Sequence, residues 1–202
     1  MGGLAMATTQ KSFEVALQKG KIGEDIVRAL LERKGWVVYQ PETEGAHCFD
    51  MLSIKDKKYA IAIDVKAKAP LNKWPATGIN ERHFQEYLHF SQKHKMPFWV
   101  IFVDEQQGLI YGNTIEELEK PRTVQGMDYP ILMNWQTPIR IWPLAAMKTI
   151  ARLREHEMEN LAQMNQRQYN YKPEYEENHE TKTKHFDCSS TGEYAHTCGM
   201  CT

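Results

Sequence analysis

The chain has 202 residues, 42% of them apolar, and a formal net charge of −1 at pH 7. That length fits one domain, or one domain with an appendage, and the apolar share can fill a real core. No global basic field advertises nucleic acid, Leu4-Ala5-Met6-Ala7 is too short and uncharged at its start for a secretory leader, and the longest apolar run, residues 98–103, is far short of a membrane span, so a soluble, cytoplasmic protein is expected.

The first regular element is a helix over residues 19–34, in which Ile22, Ile26, Val27, Leu30 and Leu31 cover about half the circumference. Glu24 falls just outside this arc beside Leu31, where it can reach toward a sheet without being stranded in the core. Gly35 is a natural C′ residue, and Trp36-Val37-Val38-Tyr39 reads as a short strand. Residues 48–54 and 59–67 read as an antiparallel hairpin around the turn Lys55-Asp56-Lys57-Lys58. The second of these strands alternates strictly. Tyr59, Ile61, Ile63, Val65 and Ala67 share one face, and Ala60, Ala62, Asp64, Lys66 and Lys68 the other. A carboxylate and an ammonium thus stand two apart on one face, preceded only by small alanines, which suggests open space beside them. The plainer alternative is an exposed ion pair on a half-solvated strand.

Residues 69–79 read as a Pro/Gly-punctuated loop leaving that strand. Lys73 and Trp74 in it are candidates for phosphate contact and base stacking. Asn80 is an N-cap for a helix with Phe84, Tyr87, Leu88 and Ser91 on one face. Arg82, His83 and Gln85 are the polar groups it could offer to a site, although His83 reads more readily as a surface or structural histidine than as a phosphate contact. Phe98–Val103 reads as a central strand buried on both faces, 108–112 as its hairpin partner, and Thr114-Ile115-Glu116-Glu117 as a capping box. Trp135, Ile139, Ile141 and Trp142 complete a core edge. Pro143 is expected to open a helix reaching to about residue 166, with Leu144, Met147, Ile150, Met158 and Leu161 on one side. The expected organisation is a domain over 1–142, this C-terminal helix over 143–166, a polar linker over 167–184 and a short module over 185–202.

The ordered set of a helical Glu24, a strand Asp50 and Asp64-x-Lys66 on the next strand resembles the PD-(D/E)XK nuclease superfamily. Gly23-Glu24 on an amphipathic helix, followed by Gly35-Trp36 and a strand, is most similar to its Holliday-junction-resolvase-like and phage-type branches. The resemblance covers about residues 19–112. It implies a restriction-endonuclease-like α/β fold with an α-β-β-β-α-β core around a mixed central sheet, and metal-dependent hydrolysis of DNA. Phe49 replaces the usual proline, and Asp64 stands where the resolvase branch more often has Glu. The resemblance implies that Asp50 and Asp64 bind Mg²⁺ (or Mn²⁺), that the Val65 carbonyl completes the site, that Lys66 stabilises developing charge, and that Glu24 binds a second metal or orients water. Hard oxygen ligands suit Mg²⁺, which can acidify a bound water and polarise a phosphate. The rival reading is a catalytically silent nuclease fold that binds nucleic acid or a protein.

Charge distribution agrees with such a site. Lys55, Lys57, Lys58, Lys66, Lys68 and Lys73 outnumber Asp56 and Asp64 in their stretch, Arg82 follows, and acids concentrate after residue 154. Lys68, Lys73, Arg82 and His83 are therefore the candidate contacts to duplex or branched DNA, and a second copy of the chain is a candidate partner. In the last module, His185, Cys188, Cys198 and Cys201 have the paired spacing of a structural zinc knuckle, with His196 a competing ligand. The alternative is an incidental tail with reactive thiols.

Overall fold

The computed structural model describes residues 3–41, 48–68, 70, 75–133 and 137–169. One compact unit spans Met1–Tyr171, and the remainder lies outside the described residues. In chain order the elements are α1 (Gly3–Arg33), β1 (Val37–Tyr39), β2 (Met51–Lys55), β3 (Tyr59–Ala67), β4 (Ala76–Asn80), α2 (Glu81–His94), β5 (Phe98–Asp104), β6 (Leu109–Thr114), α3 (Ile115–Glu119), β7 (Arg122–Val124), β8 (Met127–Tyr129), β9 (Ile131–Met133), β10 (Ile139–Pro143), a 3₁₀ turn (Leu144–Ala146), β11 (Lys148–Arg152) and α4 (Glu155–Tyr169). Up to β5, and with β4 as the single insertion, this is the α-β-β-β-α-β order that the resemblance implies. No described helix is long and apolar enough to cross a membrane.

A six-stranded mixed sheet, β1-β2-β3-β5-β6-β11, forms the centre. The β2–β3 hairpin turns through Asp56 and Lys57, both left-handed at φ 54° and 52°, the geometry of a two-residue turn that matches strand twist. β3 pairs with β5 in parallel, Asp64 beside Val100 and Lys66 beside Phe102, so α2 serves as part of the crossover. The alternation of β3 and β5 sends side chains into two separate cores. On one face Ile63, Val65, Ile101 and Val103 pack against Ile26, Val27, Leu30 and Leu31 of α1 and Leu161 of α4. On the other, Ala62, Phe98, Val100 and Phe102 pack against Phe84, Tyr87 and Leu88 of α2 and Trp142 of β10.

Three expectations are corrected. The first helix starts well before residue 19 and runs from Gly3, because nothing in residues 3–18 breaks it. Residues 76–79, expected within a loop, form β4 together with the N-cap Asn80, and β4 pairs with β10 in a second sheet of order β4-β10-β9. The partner lies some sixty residues downstream, and Gly78 is needed there, since a Cβ would meet the Arg140 carbonyl at 2.5 Å. The single helix expected from Pro143 is a 3₁₀ turn, a strand and a shorter helix. Pro143 ends β10 beyond the stretch that β9 covers, where its missing N–H costs no ladder bond. Thr149 and Ile150 are β-branched and belong to β11, which pairs with β6 through a bulge at Ile150, so residue 142 is not a domain boundary. α4 then begins at Glu155, with the Arg154 N–H donating to Glu157 Oε2 at 2.8 Å.

Candidate active site

β3 carries the centre of the site and its neighbours complete it from both faces. Asp64 is only 4% exposed. Its Oδ1 accepts from the Lys66 ammonium at 2.7 Å and from the Tyr87 hydroxyl at 2.8 Å, while its buried Oδ2 accepts no hydrogen bond from the described residues. Asp50 stands one residue before the last registered β2–β3 pair, Met51–Ile63. Its N–H donates to the Ile63 carbonyl at 2.8 Å, and its Oδ2 accepts from the Val65 N–H at 2.7 Å. The backbone of β3 therefore holds the Asp50 carboxylate in place.

Glu24 arrives from the opposite face of the sheet. α1 can lie against β3 because residue 23 is glycine; a Cβ there would come within 2.8 Å of the Ala67 Cβ. A Lys19–Glu105 ion pair of 2.7 Å ties the same stretch of α1 to the end of β5. Glu24 itself has an exposed 3.5 Å pairing with Lys21. A cleft of about 300 Å³ separates α1 from the end of β3, with Leu17, Gly20, Glu24, Asp50, Lys66 and Lys68 among its lining. Asp64 stands behind this cleft rather than in its wall. The room expected beside Asp64 and Lys66 is filled on the Asp64 side by Tyr87, which stacks on Phe98 at 4.4 Å.

The electrostatics follow from this placement. Burial, then the charge of Asp64, raise the Asp50 pKa to about 6, with Glu24 adding to the effect and the Val65 N–H and Lys66 opposing it. Lys68 is pulled down to about 8, first by burial and then by Lys66. Its ammonium donates to the Gly78 carbonyl and lies 5.4 Å from the Phe102 ring. It is thus part of the wall, not a free surface charge. Tyr87 is pushed well above the ordinary phenol value by burial and by Asp64, so it remains a donor.

The structure brings Glu24, Asp50, Val65, Lys66 and Lys68 around one cleft and leaves Asp64 out of its lining, on the same strand between Ile63 and Val65. Arg82 and His83 are not in that lining. Arg82 is exposed and pairs with Glu86 at 3.5 Å, and the His83 ring stacks beside Tyr87 at 6.0 Å. Lys73, Trp74, His185, Cys188, His196, Cys198 and Cys201 lie outside the described residues. Tyr87 is the residue that sequence reasoning missed as a site group. It was legible as a core position of α2, and only the pairing of its hydroxyl with Asp64 marks its further role.

Because the acids come from two faces of the sheet, no group of three His, Cys, Asp or Glu side chains gathers as a metal centre among the described residues. The donor set is nonetheless one of hard oxygens, and the Asp64 Oδ2 atom is a buried carboxylate oxygen that accepts no hydrogen bond among the described residues.

No family model and no curated protein sequence matches the chain. Among solved structures, the chain is similar to a Holliday junction resolvase from the archaeal hyperthermophile Archaeoglobus fulgidus, at 15% identity and a TM-score of 0.47, covering 66% of this chain and 93% of that one. It is also similar to a nuclease from a fusselovirus, at 12% identity and a TM-score of 0.42, covering 78% of this chain and 98% of that one. Both likenesses are of fold.

Proposed function

We propose that this chain is a divalent-metal-dependent endonuclease that hydrolyses phosphodiester bonds in DNA. The observation that carries the reading is the single cleft in which Glu24, Asp50 and Lys66 meet, backed by Asp64 with one unsatisfied oxygen. Asp50, Asp64 Oδ2, the Val65 carbonyl and Glu24 are the groups that would hold Mg²⁺ or Mn²⁺. When bound, such an ion supplies an acidified water and neutralises phosphate charge.

The chain's own groups set up the rest. The Val65 N–H fixes the Asp50 carboxylate, and Tyr87 fixes Asp64 from behind. Lys66 reaches the cleft from a neighbouring position on β3 and stabilises negative charge that develops on the phosphate. Lys68 adds positive potential from the wall, and Glu24 faces the open side, where it can orient the attacking water. A closed structural zinc site at His185, Cys188, Cys198 and Cys201 is proposed for the tail, with no part in the chemistry.

The Lys66–Asp64 ion pair at 2.7 Å favours one second reading, a silent nuclease fold in which this pair is structural. The deciding experiment incubates branched, duplex and single-stranded DNA with wild type, Asp64→Asn and Lys66→Ala, each with Mg²⁺, Mn²⁺ or chelator. Cleavage by wild type alone, stopped by chelator, supports the proposal. Cleavage that survives Asp64→Asn or chelator overturns it, and binding without cleavage in any arm supports the silent module.

A further inference from the structure

The end of β3 remote from Asp64 carries a second concave feature. A groove of about 490 Å³ opens between the start of β3 and the C-terminus of α2, with Trp36, Lys58, Tyr59, His94, Lys95 and Met96 in its lining. Tyr59 and Lys66 are seven residues apart on one extended strand, so this groove lies roughly 23 Å from the catalytic cleft.

Its chemistry is that of rings paired with cations. The Lys58 ammonium lies 5.4 Å from the Tyr59 ring centroid, and that of Lys55 lies 6.0 Å from the Trp36 ring. Tyr59 is 53% exposed although it opens a strand of the central sheet. No carboxylate pairs with Lys57, Lys58 or Lys95 among the described residues. Two of these lysines also sit where a lysine is conformationally unfavourable. Lys57 has φ 52° and Lys95 has φ 50°, left-handed positions at which glycine or asparagine is favoured. The macrodipole of α2 accounts for a cation at Lys95. It does not account for Lys58 on the facing hairpin, which stands beside the exposed Tyr59 ring.

We propose that this groove binds a short stretch of single-stranded nucleic acid, with bases stacked on Tyr59 and Trp36 and phosphates against Lys58 and Lys95. An exposed tyrosine and a half-buried tryptophan in a concave, cation-edged surface suit unpaired bases, whose faces are free, and not a duplex, whose faces are stacked away. The site is separate from the cleft and does not require that the cleft cleave anything. It equips the protein to hold an unpaired strand of a substrate whose phosphodiester backbone is engaged elsewhere.

The test is fluorescence anisotropy of a labelled oligothymidylate of about 10 nucleotides, within the site sizes typical of single-strand binders. It is run in chelator on the full chain, with an abasic oligomer and an oligoglutamate of equal length as comparison ligands. Tyr59→Ala should weaken oligothymidylate binding at least about fivefold, the low end of one lost base stack, and should leave abasic binding unchanged. Lys58→Glu with Lys95→Glu should weaken both nucleic-acid ligands and flatten the slope of log affinity against log salt by about 1.4 or more. Every variant is checked for fold by circular dichroism, and Tyr59→Phe should restore binding. Groove variants that bind as wild type, with affinity lost only on changing Lys66, would place all binding in the cleft and overturn the proposal. Oligoglutamate competing as well as oligothymidylate would overturn it in favour of an acidic peptide.

Discussion

The Tyr87 hydroxyl donates to Asp64 Oδ1 across 2.8 Å, joining α2 to the middle of β3. Because the Tyr87 ring is stacked on Phe98, the hydroxyl has a fixed position, and with Lys66 on the same oxygen the carboxylate is oriented so that Oδ2 is the atom without a partner among the described residues. Tyr87 is therefore a positioning residue for the acid that the proposed chemistry depends on.

Removing that hydroxyl should be felt in both stability and rate. Tyr87→Phe keeps the ring and leaves Asp64 with one donor fewer, at a cost of about 1.5–3 kcal/mol for a hydrogen bond to a charged group. Urea denaturation should show that loss. Single-turnover cleavage should fall about tenfold or more while DNA affinity is kept, a loss of about 1.4 kcal/mol of transition-state stabilisation. An unchanged rate with lowered stability would make the contact purely structural.

Asp50 should make the metal-free protein less stable as pH rises. Its folded pKa of about 6 lies above the unfolded value of about 3.9. The native state thus binds more protons than the unfolded state between these values, and stability falls as pH rises through that window. The shift corresponds to at most about 3 kcal/mol at neutral pH, less where solvent screens the half-buried carboxylate. Asp50→Asn retains an acceptor for the Val65 N–H and should raise the melting temperature in chelator at pH 7.5, but not at pH 4. Mg²⁺ at pH 7.5 should stabilise wild type and not the variant. A wild-type melting temperature that is indifferent to Mg²⁺ would count against the proposed metal site.

Two glycines of α1 should respond in opposite senses to the same substitution. At Gly20 a Cβ meets nothing within 4 Å, so Gly20→Ala should stabilise the helix by about 0.5–1 kcal/mol. At Gly23 the new methyl would fall 2.8 Å from the Ala67 Cβ, and neither group can rotate away. Gly23→Ala should cost about 1–3 kcal/mol and displace Glu24 from the cleft, lowering cleavage as well. Thermal melts of the two variants side by side check the contrast.

Glu81 accepts two hydrogen bonds of 2.6 Å from Arg140, linking the start of α2 to β10. The Arg140 guanidinium also lies 4.1 Å from the Phe84 ring. The hydrogen bonds from Arg140 hold the Glu81 carboxyl below its ordinary pKa. This contribution is therefore present above the unfolded pKa of about 4.3 and is lost as pH falls through the lower folded value. Glu81→Gln should destabilise by about 1 kcal/mol at pH 7, with the difference shrinking toward zero near pH 3. Urea titrations of both proteins across that range measure it.

The parts of the site that were legible in the sequence are those written in short-range pattern. The β3 alternation, the hairpin turn, the buried face of α2 and the outlying position of Glu24 each follow from residues within a few positions of one another. Three features escaped because their causes are remote. β4 is a strand only because residues 139–143 lie beside it. β11 was hidden because Met147 and Ile150 happen to fit a helical stripe, whereas β6 supplies the ladder that decides the matter. The depth of Asp64 was misjudged for a related reason. Ala60 and Ala62 read as clearance for a ligand, yet the clearance near Ala62 is taken up by Tyr87 and Phe98.

The parallel pairing of β3 with β5 has a consequence for how the site is assembled during folding. Asp50 and Asp64 are brought together by a hairpin, whose closure spans few residues and is intrinsically fast. Tyr87 reaches Asp64 only after the intervening chain has been gathered into a crossover and β5 has docked, a non-local event with a larger closure entropy. Two like charges are thus juxtaposed early, and the hydroxyl that orients one of them arrives late. Screening that repulsion with salt or a divalent ion should accelerate refolding of wild type more than of Asp50→Asn, which makes the ionic composition of the medium a kinetic variable for this fold as well as a cofactor question.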